Sequence, residues 1–262
     1  RGGAAGAEQA WFAGGNFLLN VALARSLPPA EYGAFALAST LLIVLMGVYN
    51  AFILEPSTVI EPSRYEWHLG RYVRAQLGLH LAFTIGLGAT LVVAGLVVGA
   101  PSAASGALIA AGLAVPAIYL FWLARRFMYV LTRPFAALTG SAVYAACIGS
   151  GLVIGAWLHV LTPFAGFVIM GCASLVAGLV MLARVARVAP AMTTASEPAF
   201  TTRSLILERW QYGRWLLGTV CLESAVAPAI TFIATATLGL AAVGTLRAMQ
   251  TFVAPLGHGM SA

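Results

Sequence analysis

The sequence predicts an all-α, polytopic membrane protein with about eight transmembrane helices. Seven apolar runs are long enough to cross a bilayer, whose hydrocarbon core takes about 20 helical residues, and an eighth begins near the chain's end. The 262 residues are 61% hydrophobic and only 8% charged, whereas a soluble domain carries about 25% charged residues. The runs cover 9–26, 32–54, 75–99, 103–124, 135–158, 161–183, 213–237 and 241 onward.

These runs predict helices because a backbone surrounded by lipid must satisfy its hydrogen bonds within each segment. An outer-membrane barrel would show alternating segments of about 10 residues, and the sequence has none. The net charge of +6 raises the possibility of nucleic-acid binding. The arginines, however, lie between apolar runs and form no soluble basic face, so we expect no nucleic-acid partner.

The positions of the arginines predict the orientation. Arginines occupy the gaps between runs two and three, four and five, and six and seven, while the gaps at 100–105 and 159–163 carry no charge. Short arginine-rich loops stay in the cytoplasm. We therefore expect a cytoplasmic N-terminus in a multi-pass protein of the bacterial plasma (inner) membrane. The first outer gap, with Arg25 and Glu31, is a mild exception.

A polar, proline-containing stretch divides the chain into two parts. We predict an N-terminal six-helix lobe over 1–187, a cytoplasmic linker over 188–207, and the start of a second lobe over 208–262, which makes the chain a fragment of a longer protein. Residues 27–38 match residues 238–249 weakly, at a constant offset that aligns Gly33 with Gly244. Transporters are often built from two such repeated halves with the substrate between them.

Three amides in the first run form a predicted polar stripe. At about 100° per residue, Gln9, Asn16 and Asn20 lie within roughly 20° of one line along the helix. A polar stripe in lipid is costly, so it faces the bundle interior or water. Two interpretations remain open: hydrogen bonds between helices, or the lining of a transport cavity.

Charged residues inside the later runs are further candidates. Glu223 lies near the middle of run seven, where a carboxylate indicates proton or cation coupling, a headgroup contact, or a structural pair with a neighbouring helix. Arg247 in run eight either lines the cavity and binds an anion such as a lipid phosphate, or extends outward to the interface. Their difference in depth, about 12 Å, argues against a direct ion pair.

Other polar residues point to structural roles. Glu55 is predicted to be a solvated charge at a helix end, and His80 either packs in the bundle or relays protons. The three cysteines fit no disulfide or zinc pattern. We find no P-loop, no GxSxG sequence and no paired acid and base. We therefore expect no enzyme, no metal and no cofactor.

Three stretches resemble the O-antigen type polysaccharide flippases of the multidrug/oligosaccharidyl-lipid/polysaccharide exporter superfamily. LARSLPPAEYGAFALAST (23–40) resembles that family's turn between the first two helices, LEPSTVIEPSRY (54–65) the end of its second helix, and GTLRAMQTFVAPL (244–256) its eighth helix. The resemblance implies 12–14 helices in two lobes around a central cavity. Arg25 and Arg247 carry over as family-like positions.

The resemblance implies transport of a lipid-linked oligosaccharide or polysaccharide precursor across the membrane by alternating access. The expected partners are that glycan lipid, membrane lipids, and H+ or Na+ as a coupling ion. We predict that Gln9, Asn16, Asn20, Arg25 and Arg247 line the cavity, with Glu223 coupling the ion. The alternatives are a multidrug exporter of the same superfamily, whose cavity would be rich in carboxylates, and a membrane scaffold of a glycan-assembly complex, whose cavity would lack a polar lining.

Overall fold

The computed structural model describes residues 2–59, 69–99, 102–188 and 202–259, and all regular structure in those ranges is helical. The predicted all-α, polytopic class is confirmed. A π-helical segment, Asn50–Leu54, joins α2 to α3 without a break. The helices are α1 (Gly2–Ser26), α2 (Pro29–Tyr49), α3 (Glu55–Val59), α4 (Leu69–Val98), α5 (Ala103–Val130), α6 (Pro134–Trp157), α7 (Pro163–Val188) and α8 (Thr202–Gly259).

Six stretches of the described residues are long and apolar enough to cross a membrane: Pro29–Thr58, Gly70–Val98, Ala103–Val130, Pro134–Trp157, Pro163–Arg187 and Pro228–Thr251. Pro228–Thr251 covers the end of run seven, Gly239 and the start of run eight as one stretch, so it differs from both predicted spans. The predicted span in α1 does not reach that hydropathy. In α1 the reason is its composition, because glycines, amides and Glu8 dilute the apolar residues. Part of this polar surface is buried inside the bundle instead of facing lipid.

The helices alternate in direction, so the bundle has two chemically different ends. The arginine end contains Arg125, Arg126, Arg184 and Arg209, which bond to residues of α1, α3, α6 and α4 respectively. The glycine end contains the turn between α1 and α2, the start of α7 and the turn in α8. The main packing pairs are α5 with α7, α4 with α5, α1 with α6, and α2 with α8. Alternate gaps of the sequence therefore meet at the same end, as the arginine pattern predicted.

Helices extend beyond the predicted runs mainly at the arginine end. The fourth run was predicted to stop at residue 124, but α5 continues to Val130, and α7 continues past run six to Val188. Arginine is a good helix former, so the helix persists where the apolar run stops. Arg125 and Arg126 consequently belong to a helix and not to a loop.

The α8 helix breaks at Gly239, whose φ of 81° and ψ of 174° lie outside the helical region. Glycine adopts this backbone conformation without steric cost. The break divides α8 into a first arm (202–238) and a second arm (240–259), where the sequence predicted a turn between runs seven and eight.

The second arm of α8 crosses α2 at two glycines. A Cβ atom on Gly33 would overlap the carbonyl oxygen of Leu240, and a Cβ atom on Gly244 would overlap the carbonyl oxygen of Pro29. The contact is reciprocal, because each glycine meets the residue four positions before the other. These are the residues that the repeat aligns, so the two helices are related by a local, approximate two-fold axis. Superposition of runs one and two on runs seven and eight stays a prediction.

The linker predicted over 188–207 falls mainly on residues 189–201, which lie outside the described part of the chain. Its last residues differ from the prediction, because α8 already begins at Thr202. Leu205, Ile206 and Leu207 continue the apolar character of the helix and favour this earlier start.

We expect Gly33→Ala to disrupt the crossing, because the added methyl group meets backbone atoms that cannot move aside. Overpacking of this kind costs about 3 kcal/mol, so the thermal unfolding midpoint in detergent decreases. The matched control is Gly78→Ala, where a Cβ atom meets nothing within 4 Å and the helix gains about 0.5–1 kcal/mol. Equal midpoints for the two variants would contradict the crossing.

Candidate functional site

A buried carboxylate joins three helices at the arginine end. Glu8 of α1 is 0% exposed. It accepts hydrogen bonds from the Arg125 guanidinium at 2.6 Å and the Tyr129 hydroxyl at 2.7 Å, and from the Ser141 hydroxyl of α6. Arg125 and Tyr129 are four residues apart on α5, so they lie on the same face of that helix. This spacing lets both reach one carboxylate.

Aromatic rings enclose the Arg125 guanidinium. Its central carbon lies 5.4 Å from the Phe12 ring centroid, 5.0 Å from that of Trp122 and 5.9 Å from that of Tyr129. Such contacts stabilise a desolvated cation. Both bonds of Arg125 to α1 use Nη2, which donates to Glu8 and, at 2.8 Å, to Gln9. Its buried Nε has no hydrogen-bond partner among the described residues.

The next residue, Arg126, forms a second and more exposed ion pair. Its Nη2 atom donates to Glu55 at 3.0 Å and to Asn50 at 3.5 Å. The side chains of Arg126 and Glu55 are 33% and 31% exposed. Glu55 was predicted to be a solvated charge at a helix end; it is half-buried and paired. Each of the two consecutive arginines thus contacts one carboxylate and one amide. The partners of Arg125 lie on α1, and those of Arg126 lie in the π segment and α3.

The two arginines face one cavity of about 410 Å³ at the arginine end. Volumes of this size are ordinary for ligand sites, which begin at about 300 Å³. Asn50, the first residue of the π segment, lies in its wall, and π segments are frequent at functional sites. The lining is mixed, with polar and apolar side chains: Met46, Gly47, Asn50, Leu54, Trp122, Arg125, Arg126 and Tyr129.

A buried arginine from α8 holds the other side of the π segment. Arg209 is only 6% exposed. It donates to the backbone carbonyls of Phe52 and Ile53, at 3.3 and 3.0 Å, and to Tyr72 and Gln76 of α4. A π turn changes the register of the helix, and these bonds from Arg209 satisfy carbonyl groups within it. Arg209 therefore fixes the first arm of α8 to both the π segment and α4.

The predicted amide stripe bonds to three different helices. The side-chain oxygens of Gln9, Asn16 and Asn20 accept hydrogen bonds from Arg125, Tyr144 and Tyr32, respectively. The interhelical hydrogen bonds that the stripe predicted are present at every position. Gln9 is exposed and the two asparagines are half-buried. Cavity lining by these amides stays a prediction.

Arg247 lies close to the same network at the glycine end. The Tyr32 phenol, which donates to Asn20, also interacts with the Thr251 hydroxyl and lies in the electrostatic field of the Arg247 guanidinium. Arg247 itself is half-buried in the second arm of α8. Tyr32 thus bonds to Asn20 of α1 and lies near Arg247 of the second arm of α8.

The remaining predicted residues lie elsewhere. Arg25 is exposed at the end of α1. Glu223 belongs to the first arm of α8, but its side chain lies outside the described residues. His80 is 0% exposed and bonds to the Tyr49 hydroxyl and to the carbonyl of Pro116. It is therefore packed inside the bundle, the first of its two predicted roles.

Sequence reasoning missed Glu8, Arg209 and, apart from His80, the polar residues of α4. One signal was available for α4, because Tyr72, Gln76, His80 and Thr84 occur at every fourth position and are all buried. Spacing of four places residues on one helical face. Among the described residues, no group of three His, Cys, Asp or Glu side chains comes together as a metal site.

No family model, curated protein or solved structure matches this chain.

We expect Arg125→Met to leave Glu8 as a buried charge without its cation. Breaking a buried ion pair in this way costs about 3–5 kcal/mol, which lowers the unfolding midpoint strongly. The double variant Glu8→Gln/Arg125→Gln removes both charges, and we expect it to recover most of the loss. Arg133→Gln, at an exposed position, is the control for net charge. A double variant as unstable as Arg125→Met would contradict the role of the pair.

We expect Arg209→Ala to loosen α8 from the π segment. Several buried acceptors lose their donor, at a cost of about 1–3 kcal/mol each. Hydrogen–deuterium exchange measures the result, with faster exchange predicted for residues 50–54 and 202–216. Arg203→Ala, which removes an exposed arginine from the same helix, serves as the comparison. Unchanged exchange in Arg209→Ala would show that these contacts do not hold the segment.

Proposed function

We propose that this protein moves a lipid-linked oligosaccharide or polysaccharide precursor across the bacterial inner membrane by alternating access. One observation carries the proposal: α8, which would belong to the second lobe, crosses α2 backbone to backbone at the glycine end, while a cavity with a mixed lining lies beside α2 at the arginine end. Gly33 in α2 marks the crossing and Asn50 in the π segment marks the cavity. The two residues are about 26 Å apart along the continuous helix. Alternating access requires a pathway that is closed at one membrane face and open at the other, and we propose that the crossing and the cavity mark its two ends.

The reciprocal crossing supports a two-lobe transporter. Glycines let helix backbones approach closely in a membrane, and here Gly33 and Gly244 do so around a local two-fold axis. Substrate sites of repeat-built transporters lie between the related halves. With the arginine end in the cytoplasm, as the positive-inside rule favours, the cavity faces the side on which a precursor would be loaded.

The composition of the cavity favours an anionic amphiphile over the small cations of a multidrug exporter. Its wall contains two arginines and no carboxylate among the described residues. Leu54, Met46 and Trp122 supply apolar surface beside them. Guanidinium groups match phosphate oxygens, and apolar walls suit a lipid chain. The polar lining also argues against a scaffold without transport.

Further along the pathway, Arg247 would contact the phosphate group as the substrate moves toward the glycine end. Asn16 and Asn20 would bond sugar hydroxyls, with Gln9 at the cavity entrance and Arg25 at the opposite surface. Glu223 would bind H+ or Na+ and change the charge of the pathway between states. Charged groups at membrane depth are costly, and positions in a water-filled pathway reduce that cost.

We test this function with protein expressed from its complete reading frame in liposomes that contain a fluorescent lipid-linked oligosaccharide. The wild type is expected to transfer the lipid between leaflets, and Arg247→Ala to slow the transfer about tenfold or more, the loss of a charge-assisted contact. Arg247→Lys keeps the positive charge but lacks the planar, two-pronged donor group of a guanidinium, so its transfer rate is expected to lie between those of the wild type and Arg247→Ala. Arg187→Ala, an exposed arginine on α7, is the control.

Three outcomes would count against the proposal. Transport of cationic dyes without glycan lipid would favour the multidrug exporter. Absence of any transport by the wild type would favour the scaffold. Normal glycan transport by a folded Arg247→Ala variant would remove that residue from the pathway.

A further inference from the structure

We infer that Arg125 and Arg126 form a binding site for the phosphate or diphosphate headgroup of the substrate, with Glu55 as an internal counter-ion that the headgroup displaces. This inference rests on the proposed function and places the first contact at the arginine end, away from Arg247. The sequence patterns do not indicate it, because both residues lie in a gap between apolar runs.

The two ion pairs at this site differ in how readily they can exchange. Glu8 is fully buried and accepts three hydrogen bonds, and the Arg125 side chain is 12% exposed inside an aromatic enclosure. The pair of Arg126 and Glu55 is about one third exposed on both sides and joined by one contact at 3.0 Å. Partly solvated ion pairs contribute little to stability. Arg126 can therefore exchange its carboxylate for a phosphate while Arg125 stays in place.

Donor geometry supports a phosphate ligand. An arginine carries five N–H donors in a planar fork. Both hydrogen bonds of Arg126 use Nη2, and its Nη1 and Nε atoms have no partner among the described residues. Phosphates are commonly bound by two parallel donors of one guanidinium. Arg125 lies next to this fork in the cavity wall, where its pairing with Glu8 balances its charge and holds its guanidinium in place.

The apolar part of the cavity identifies the rest of the ligand. Met46 and Leu54 border the arginines on the side of α2, and Trp122 does so on α5. A free inorganic anion would gain nothing from these side chains, whereas the first part of a polyprenyl chain would cover them. Burial of such a chain contributes favourable energy for each CH₂ group removed from water.

The test measures binding of a polyprenyl diphosphate to protein from the complete reading frame in nanodiscs. Arg126→Gln is expected to weaken binding about tenfold, the loss of one charge-assisted contact. Glu55→Gln removes the competing counter-ion and is expected to tighten binding about threefold or more. Arg187→Gln controls for net charge and leaves the affinity unchanged.

The two variants are expected to change the affinity in opposite directions, which distinguishes a binding site from an ion pair that only stabilises the fold. If Arg126 and Glu55 only stabilise the fold, both variants lower the unfolding midpoint and neither binds more tightly, which would overturn the inference. Equal binding of a polyprenol without phosphate would overturn it too. Inorganic pyrophosphate forms a separate arm: weaker binding with the same variant pattern supports a lipid headgroup, and equal affinity would overturn the lipid ligand.

A second readout does not depend on the stability of the charge variants. On a background without native cysteines, Gly47→Cys in the cavity wall is expected to react with a maleimide, and polyprenyl diphosphate is expected to slow that reaction. No protection at a saturating ligand concentration would overturn the site. The flipping assay separates the two claims: transport with unchanged binding in Arg126→Gln refutes only this site, whereas the expected binding pattern without transport refutes only the function.

Discussion

The buried ion pair of Glu8 and Arg125 is the contact on which the arginine end depends. It links α1, the least hydrophobic of the long helices of the predicted first lobe, to the C-terminal part of α5, and Ser141 extends the link to α6. A charge in this position is tolerated only with its partner and further hydrogen bonds. The pair therefore fixes where α1 lies, and with it the orientation of the amide stripe and one wall of the cavity.

A second set of polar contacts positions the helices that follow the predicted linker. Arg209 bonds to the carbonyls of the π segment and to α4, while Gly33 and Gly244 bring α2 and α8 together at the opposite end. The contact made by Arg209 is polar and depends on one side chain, whereas the contact between Gly33 and Gly244 is between backbones. The two ends are thus held by interactions of different kinds, and a change at one end need not disrupt the other.

The sequence predicted the helices well, because long apolar runs and arginine-bearing gaps are local signals. The alignment of Gly33 with Gly244 also came from local patterns, and the predicted turn between runs seven and eight is in the structure a break at Gly239 within α8. The pair of Glu8 and Arg125 did not, since its members are 117 residues apart in sequence and each looks like an ordinary charge beside an apolar run. Only the packing of α1 against α6 and of α6 beside α5 shows that both are buried.

The central proposal is that the arginine end is open to the cytoplasm while the glycine end is closed, and two-sided accessibility of position 46 tests it most directly. Met46→Cys would be placed on a background lacking Cys147, Cys172 and Cys221, and treated with a membrane-impermeant maleimide in intact cells and in inverted vesicles. The account predicts rapid labelling in inverted vesicles and little in intact cells. Labelling only in intact cells would contradict it.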